Sequence, residues 1–181
     1  MSSKLFQIVR YLKQLEIQYK VQVSEDQIIT GFTGENVEYL PVLIQLSEER
    51  KFLRLYIPQL LKIKGSVFKG VAFQTMLALS YEMKLLRFEY DPIDGEVRAS
   101  IELPIEDGTF TFRQFQRCLL GLVHMVDREA MPRLKAVLAT GEDPGTEEKV
   151  NKVAQLIADS DPETLELLLE QAVALRKLQN H

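Results

Sequence analysis

The sequence predicts an α+β fold: an antiparallel β-sheet with helices packed on one face, followed by a C-terminal α-helical extension. Three observations carry this reading. Leu85 to Leu103 (LLRFEYDPIDGEVRASIEL) holds two runs of alternating residues around one turn. Tyr19 to Ile57 holds further strand-like runs joined by short polar turns. Segments with helical apolar spacing precede and follow these strand groups instead of alternating with single strands. Segregated strands and helices mean a sheet covered by helices, not a doubly wound parallel sheet.

Leu5 to Leu15 forms the first helix. Leu5, Ile8, Val9, Leu12 and Leu15 recur at helical spacing, opposite Lys4, Gln7, Lys13 and Gln14. Ser2 or Ser3 caps its start. Phe6 and Tyr11 lie off the main stripe; they either widen the core face or stand exposed for a partner. Next, Tyr19, Val21 and Val23 alternate with Lys20 and Gln22, and Ser24-Glu25-Asp26 makes a turn. Ile28 to Thr33 follows, then Gly34-Glu35-Asn36, then Tyr39 to Leu46. Ser47 to Arg50 leads into Lys51 to Ile57, where Leu53, Leu55 and Ile57 share one face. The short turns imply antiparallel pairing. Pro41, lacking a donor, belongs at a strand start or edge, and Pro58 is expected to end its strand. Gln59 to Gly65 is then a connector.

The second helix is expected from Ser66 to Met83. Phe68, Val71, Ala72, Thr75, Met76, Leu79 and Met83 form its main stripe, with Phe73 and Leu77 on a second flank. A helix apolar over more than half its girth is central or partly at an interface. In the hairpin, Leu86, Phe88 and Tyr90 alternate with Arg87 and Glu89. Val97, Ala99, Ile101 and Leu103 alternate with Glu96, Arg98, Ser100 and Glu102. Asp91-Pro92 and Asp94-Gly95 supply turn chemistry, the glycine taking a positive φ cheaply. Thr111 with Gln114 fits a capping box at the start of the third helix. Phe115, Cys118, Leu119, Leu122, Val123 and Val126 make its stripe, and Pro132 predicts a kink or break near Met131.

The chain divides by composition at Gly141-Glu142-Asp143-Pro144-Gly145, a linker between residues 1–140 and 141–181. Through Thr140 it carries 18 Lys+Arg against 17 Asp+Glu; from Gly141 onward, 4 against 9. Two short acidic helices are expected in the tail. One spans Glu147 to Ala158, with Val150, Val153, Ala154 and Ile157. The other is capped by Asp161, with Pro162 at its first position and Leu165, Leu168, Leu169, Ala172 and Leu175 as its stripe.

Composition narrows the function classes. The 181 residues are 46% hydrophobic and 27% charged, the balance of a soluble globular protein. No basic face points to nucleic acid. The Lys62, Lys64 and Lys69 cluster reads as solvated surface. No apolar run approaches the ~20 residues that span a bilayer. The single cysteine, Cys118, and an N-terminus without a signal-peptide pattern give a cytoplasmic expectation.

FLRLYIPQL, the hairpin LRFEYDPIDGEVRASIELPIEDG and the Thr111 helix ending in MPRLKAVLATG together resemble the YbjN family. The likeness covers about Leu5 to Ala139 and includes the steps Ile57-Pro58 and Leu103-Pro104; the tail departs from it. YbjN proteins share the fold of type III secretion chaperones. The resemblance implies a small homodimer that holds a partner chain across its sheets and grooves. Such recognition needs exposed apolar patches, not catalytic residues.

Catalytic chemistry finds little footing. His124 and His181 are the only histidines. Asp127 stands three residues from His124 and could pair with it on a helix. Cys118 falls on an apolar stripe, where burial raises a thiol's pKa. Glu89, Glu96 and Glu102 stand among Arg87 and Arg98, which cross-strand pairing explains. The glycines do not form a phosphate loop. No metal or cofactor is expected. The reading is a non-enzymatic protein-binding or chaperone-like module, a homodimer as the resemblance implies, with an unidentified protein partner. Its candidate dimer or partner surface is Phe73 and Leu77 of the second helix with Phe115, Leu119 and Leu122 of the third. The alternative is a small-molecule-sensing regulatory domain, with Tyr56, Tyr81 or Tyr90 as polar ends of a pocket between sheet and helices.

Overall fold

The computed structural model describes residues 2–47, 49–106 and 108–145, and beyond them residues 151, 154, 155, 157–159, 161, 164–167 and 171. The chain divides into two compact units, Met1–Asp143 and Pro144–His181.

The first unit runs α1 (Ser3–Gln14), β1 (Tyr19–Gln22), β2 (Gln27–Phe32), β3 (Leu40–Ser47), β4 (Phe52–Lys62) and α2 (Lys69–Glu82). It continues with β5 (Arg87–Tyr90), β6 (Glu96–Pro104), α3 (Phe112–His124) and α4 (Met131–Thr140). The six strands form one antiparallel sheet in the order β1-β2-β3-β4-β6-β5. The β5–β6 hairpin follows its alternation, pairing Arg87 with Ser100 and Tyr90 with Val97. Its turn is closed by two aspartates: Ile93 N–H donates to Asp91 at 2.8 Å, and Glu96 N–H to Asp94 at 2.9 Å. Gly95 takes φ 79°, which a side chain would resist.

Helices cover one sheet face. Ile28, Ile44, Leu55 and Ile101 lie side by side across β2, β3, β4 and β6, fully buried. Leu5, Ile8 and Leu12 of α1 and Phe115, Leu119 and Leu122 of α3 pack in the same cluster. A second cluster joins Ala72 and Leu79 of α2, Leu134 and Val137 of α4, Ile63 and Val97. Ser2 caps α1 by accepting from Leu5 N–H. Tyr11 belongs to the core: its hydroxyl donates to the Phe110 carbonyl at 2.9 Å. Phe6 stands exposed.

The structure corrects the expected end of β4. The strand runs through Pro58 to Lys62, with a shift of register between Ile57 and Leu61. Gln59 adopts φ 48° there, and its N–H donates to the Glu96 carboxylate at 2.9 Å. The bulge absorbs the missing proline donor, so pairing resumes at Leu61 with Val97. The connector accordingly moves to residues 63–68, and α2 begins at Lys69, not at the expected Ser66. The capping box of Thr111 and Gln114 opens α3. Its continuation breaks earlier than the proline, through a π-helical turn at Met125–Ala130, and Pro132 lies in the first turn of α4.

In the second unit, residues 151, 154, 155, 157, 158, 164–167 and 171 are helical. Asp161 caps the second stretch, accepting from Thr164 N–H at 3.0 Å. Val150, Val153, Pro162, Leu168, Leu169, Ala172 and Leu175 lie outside the described residues.

Candidate partner-binding surface

α2 is apolar on nearly every side, so tertiary packing decides which flank is buried. Ala72, Thr75, Met76 and Leu79 face inward. Leu77 and Tyr81, one turn apart, face outward at 72% and 94% exposure, and Leu85 just beyond the helix is 58% exposed. Phe73 continues the same row but is half-buried. Its ring meets Tyr90 of β5 edge-on at 5.0 Å. Lys69 Nζ donates to the Tyr90 hydroxyl at 2.7 Å and lies 4.5 Å from the Tyr90 ring centroid. Phe73 therefore ties α2 to β5 and leaves only part of its area outside. β5 is an edge strand of the sheet.

Two charge clusters hold this region. Buried Arg133 of α4 donates to Glu82 at the end of α2 and to Asp143, while Thr75 donates to Asp143 at 3.0 Å. The hydrogen bond to Asp143 leads the causes that raise the Arg133 pKa, against the opposing effect of burial. On the sheet face away from the helices, Glu89 accepts from Arg54, Arg98 and Arg87, and from the Ser100 hydroxyl at 2.7 Å. Burial pushes the Glu89 carboxyl up, but the Ser100 hydroxyl and the guanidiniums outweigh it and bring it down to about 2. The cross-strand pairing expected of these charges is thus a network centred on Glu89.

The third-helix part of the expected surface is corrected. Phe115, Leu119 and Leu122 are 0% exposed and fill the core between α3 and the sheet. Periodicity marks a buried face without saying whether the chain's own sheet or a partner buries it. Of the five expected residues, Leu77 is fully available and Phe73 in part. Tyr81 and Leu85 join them, and the sequence signal for Tyr81 was its place one turn beyond Leu77.

The residues weighed for catalysis do not converge. Cys118 is buried, and burial pushes its thiol up. His124 is exposed. Asp127 is buried and accepts three backbone N–H groups, from Glu35 at 2.8 Å and from Asn36 and Val37 at 2.9 Å. Among the described residues, no three His, Cys, Asp or Glu side chains are grouped to hold a metal. The three tyrosines of the sensor alternative are also apart. Tyr56 accepts from Gln27 on the outer sheet face, Tyr81 is exposed, and Tyr90 bonds Lys69.

A six-stranded antiparallel sheet with helices on one face, followed by helical residues near the C-terminus, is a YbjN-like, secretion-chaperone-like α+β fold. No family model matches the chain, and no curated protein matches it. Solved structures do. YbjN from E. coli matches with a TM-score of 0.52 at 14% identity, over 70% of this chain and 89% of that one. The HopA1–SchA chaperone–effector complex contains a chain with a TM-score of 0.51 at 16% identity, over 72% of this chain and 96% of that one. The ExsC–ExsE complex contains another, with a TM-score of 0.51 at 15% identity, over 74% and 97%. At these identities the likeness is one of fold. Among the described residues, no helix is long and apolar enough to cross a membrane.

Proposed function

We propose that this chain is a non-enzymatic, chaperone-like module that pairs with a second copy of itself and binds a segment of a partner protein. The observation that carries the reading is the exposed row of Leu77 and Tyr81 on α2, beside the edge strand β5. Apolar side chains aligned one turn apart lose unfavourable water contact when a matching surface covers them. A two-fold axis near this row sets each Leu77 against its copy, the self-complementary contact of a symmetric dimer. Binding of a partner segment draws support from the fold's likeness to a chaperone–effector complex. It works by backbone pairing at a sheet edge or by side-chain burial in a groove.

Oxidative cross-linking tests the reading. The native Cys118 is buried, so a new surface cysteine reports its own surroundings. Tyr81→Cys is expected to give a disulfide-linked dimer under mild oxidation, whereas Val67→Cys, also highly exposed but outside the row, forms no disulfide link between copies. Equal cross-linking of both variants refutes the placement.

A further inference from the structure

We propose that the outward face of α3 docks an acidic amphipathic segment of the partner protein. The inference rests on the protein-binding reading and names the partner's chemistry. α1 and α3 lie side by side, Tyr11 of α1 meeting the rings of Phe112 and Phe115 at 5.5 and 5.8 Å. Together these helices hold none of the chain's 26 acidic residues, although the chain as a whole is acidic. They carry Lys4, Arg10, Lys13, Arg113 and Arg117. Among the described residues, Arg113 and Arg117 form no ion pair.

These two arginines begin an open groove of about 580 Å³ along α3, lined by Arg113, Gln116, Arg117, Leu120, Gly121 and His124. From Arg113 to His124 the groove extends roughly 16 Å at the rise of an α-helix, about three turns. Its middle is not charged. Leu120 is 41% exposed, and beside it Gly121 leaves room, the nearest atom to a Cβ there being Met125 Cε at 3.9 Å. An apolar floor with two arginines at one end fits an apolar side chain flanked by carboxylates. A nucleic-acid backbone calls for a longer series of cations and offers nothing to Leu120. The face lies on a different helix from the Leu77 row, so partner docking and self-pairing do not compete for one surface.

The test uses the full chain as bait for a displayed library of random peptides, about 12 residues long to match three helical turns. Enriched peptides are expected to place Asp or Glu around a leucine or phenylalanine at helical spacing. A synthetic copy of the leading peptide, followed by fluorescence anisotropy, is expected to weaken at least about tenfold with Arg113→Glu/Arg117→Glu. Arg113→Gln/Arg117→Gln, which removes charge without reversing it, loses less. Leu77→Glu leaves the affinity within about twofold. Added salt weakens binding. Melting temperatures of the arginine variants, close to that of the parent, show that they fold. Enriched peptides without acidic bias, unaffected by the arginine changes, overturn this inference while leaving the protein-binding reading standing. A library that yields no binder counts against both. Single-stranded DNA bound with the same arginine dependence assigns the face to nucleic acid and overturns it. Loss of self-association in the arginine variants assigns it to a second copy and does the same.

Discussion

Replacing Asp127 by alanine removes the acceptor that fastens the loop between β2 and β3 to the π-helical turn. The carboxylate is 4% exposed and takes N–H groups from Glu35, Asn36 and Val37. Lys135 reinforces the site by donating to the Asn36 carbonyl, and Arg128 pairs with Glu35 at its rim. A hydrogen bond to a charged group contributes about 1.5 kcal/mol or more, so three give about 4.5 kcal/mol in sum. The loop residues Glu35 and Asn36 are exposed, so freed amides recover part of this from water. The expected net loss is about 3 kcal/mol, or roughly 6–12 °C in melting temperature for a chain of this size. Asp127→Asn keeps one acceptor oxygen and should lose about half as much. Urea unfolding followed by far-UV circular dichroism measures both; the chain has no tryptophan to report by fluorescence.

Acid adds a second check on the same residue. Burial pushes the Asp127 carboxyl up, but the three amides and Arg128 outweigh it, and its folded pKa lies below the ordinary value. A depressed carboxylate contributes stability that is complete above its unfolded pKa, about 3.9, and is lost as pH falls through the folded pKa. The gap between parent and Asp127→Ala should therefore be full at pH 7 and start to narrow only below about pH 4. A loss under about 1 kcal/mol at neutral pH, or a gap unchanged in acid, refutes the account of this latch.

Glu89 makes a related prediction on the other side of the sheet. Its folded pKa of about 2 lies below the ordinary 4.5, so its contribution is full above pH 4.5 and falls away from there toward pH 2. Glu89→Gln should flatten the acid limb of stability against pH, read from urea midpoints; an unchanged limb contradicts the network. Leu119→Ala, deep under α3, should cost about 2–5 kcal/mol without altering the native oligomeric state, measured by urea unfolding and by solution mass. A variant that changes mass but not stability would return Leu119 to the surface.

Much of this fold is legible in the sequence because its signals are local. The hairpin declares itself by alternation and by Asp-Gly at its turn, and α3 by Thr111 and Gln114. The end of β4 is not legible, because a strand crossing Pro58 depends on Glu96, 37 residues away, to receive the Gln59 amide. Helical spacing sets Asp127 beside His124, yet its partners lie 90 to 92 residues off in sequence. A hint was present: the residue follows Val126 of the apolar stripe, and a buried carboxylate needs donors. Gly34 completes that arrangement, since a Cβ there would stand 2.2 Å from Asp127 Oδ1. The candidate surface was half legible for a related reason. Phe73 and Leu77 lie on a helix apolar on nearly every side, and Phe115, Leu119 and Leu122 on an amphipathic one, and sequence spacing alone does not say which of these flanks is exposed.

Solution mass of the full chain by light scattering, with and without Leu77→Glu, tests the central claim most directly. The account predicts a parent of twice the 20.8 kDa chain mass and a folded variant at the single-chain mass. A charge set into each half of a symmetric apolar contact meets its own copy and breaks it. A parent that stays at 20.8 kDa, or a Leu77→Glu variant that remains a dimer, contradicts self-pairing through α2.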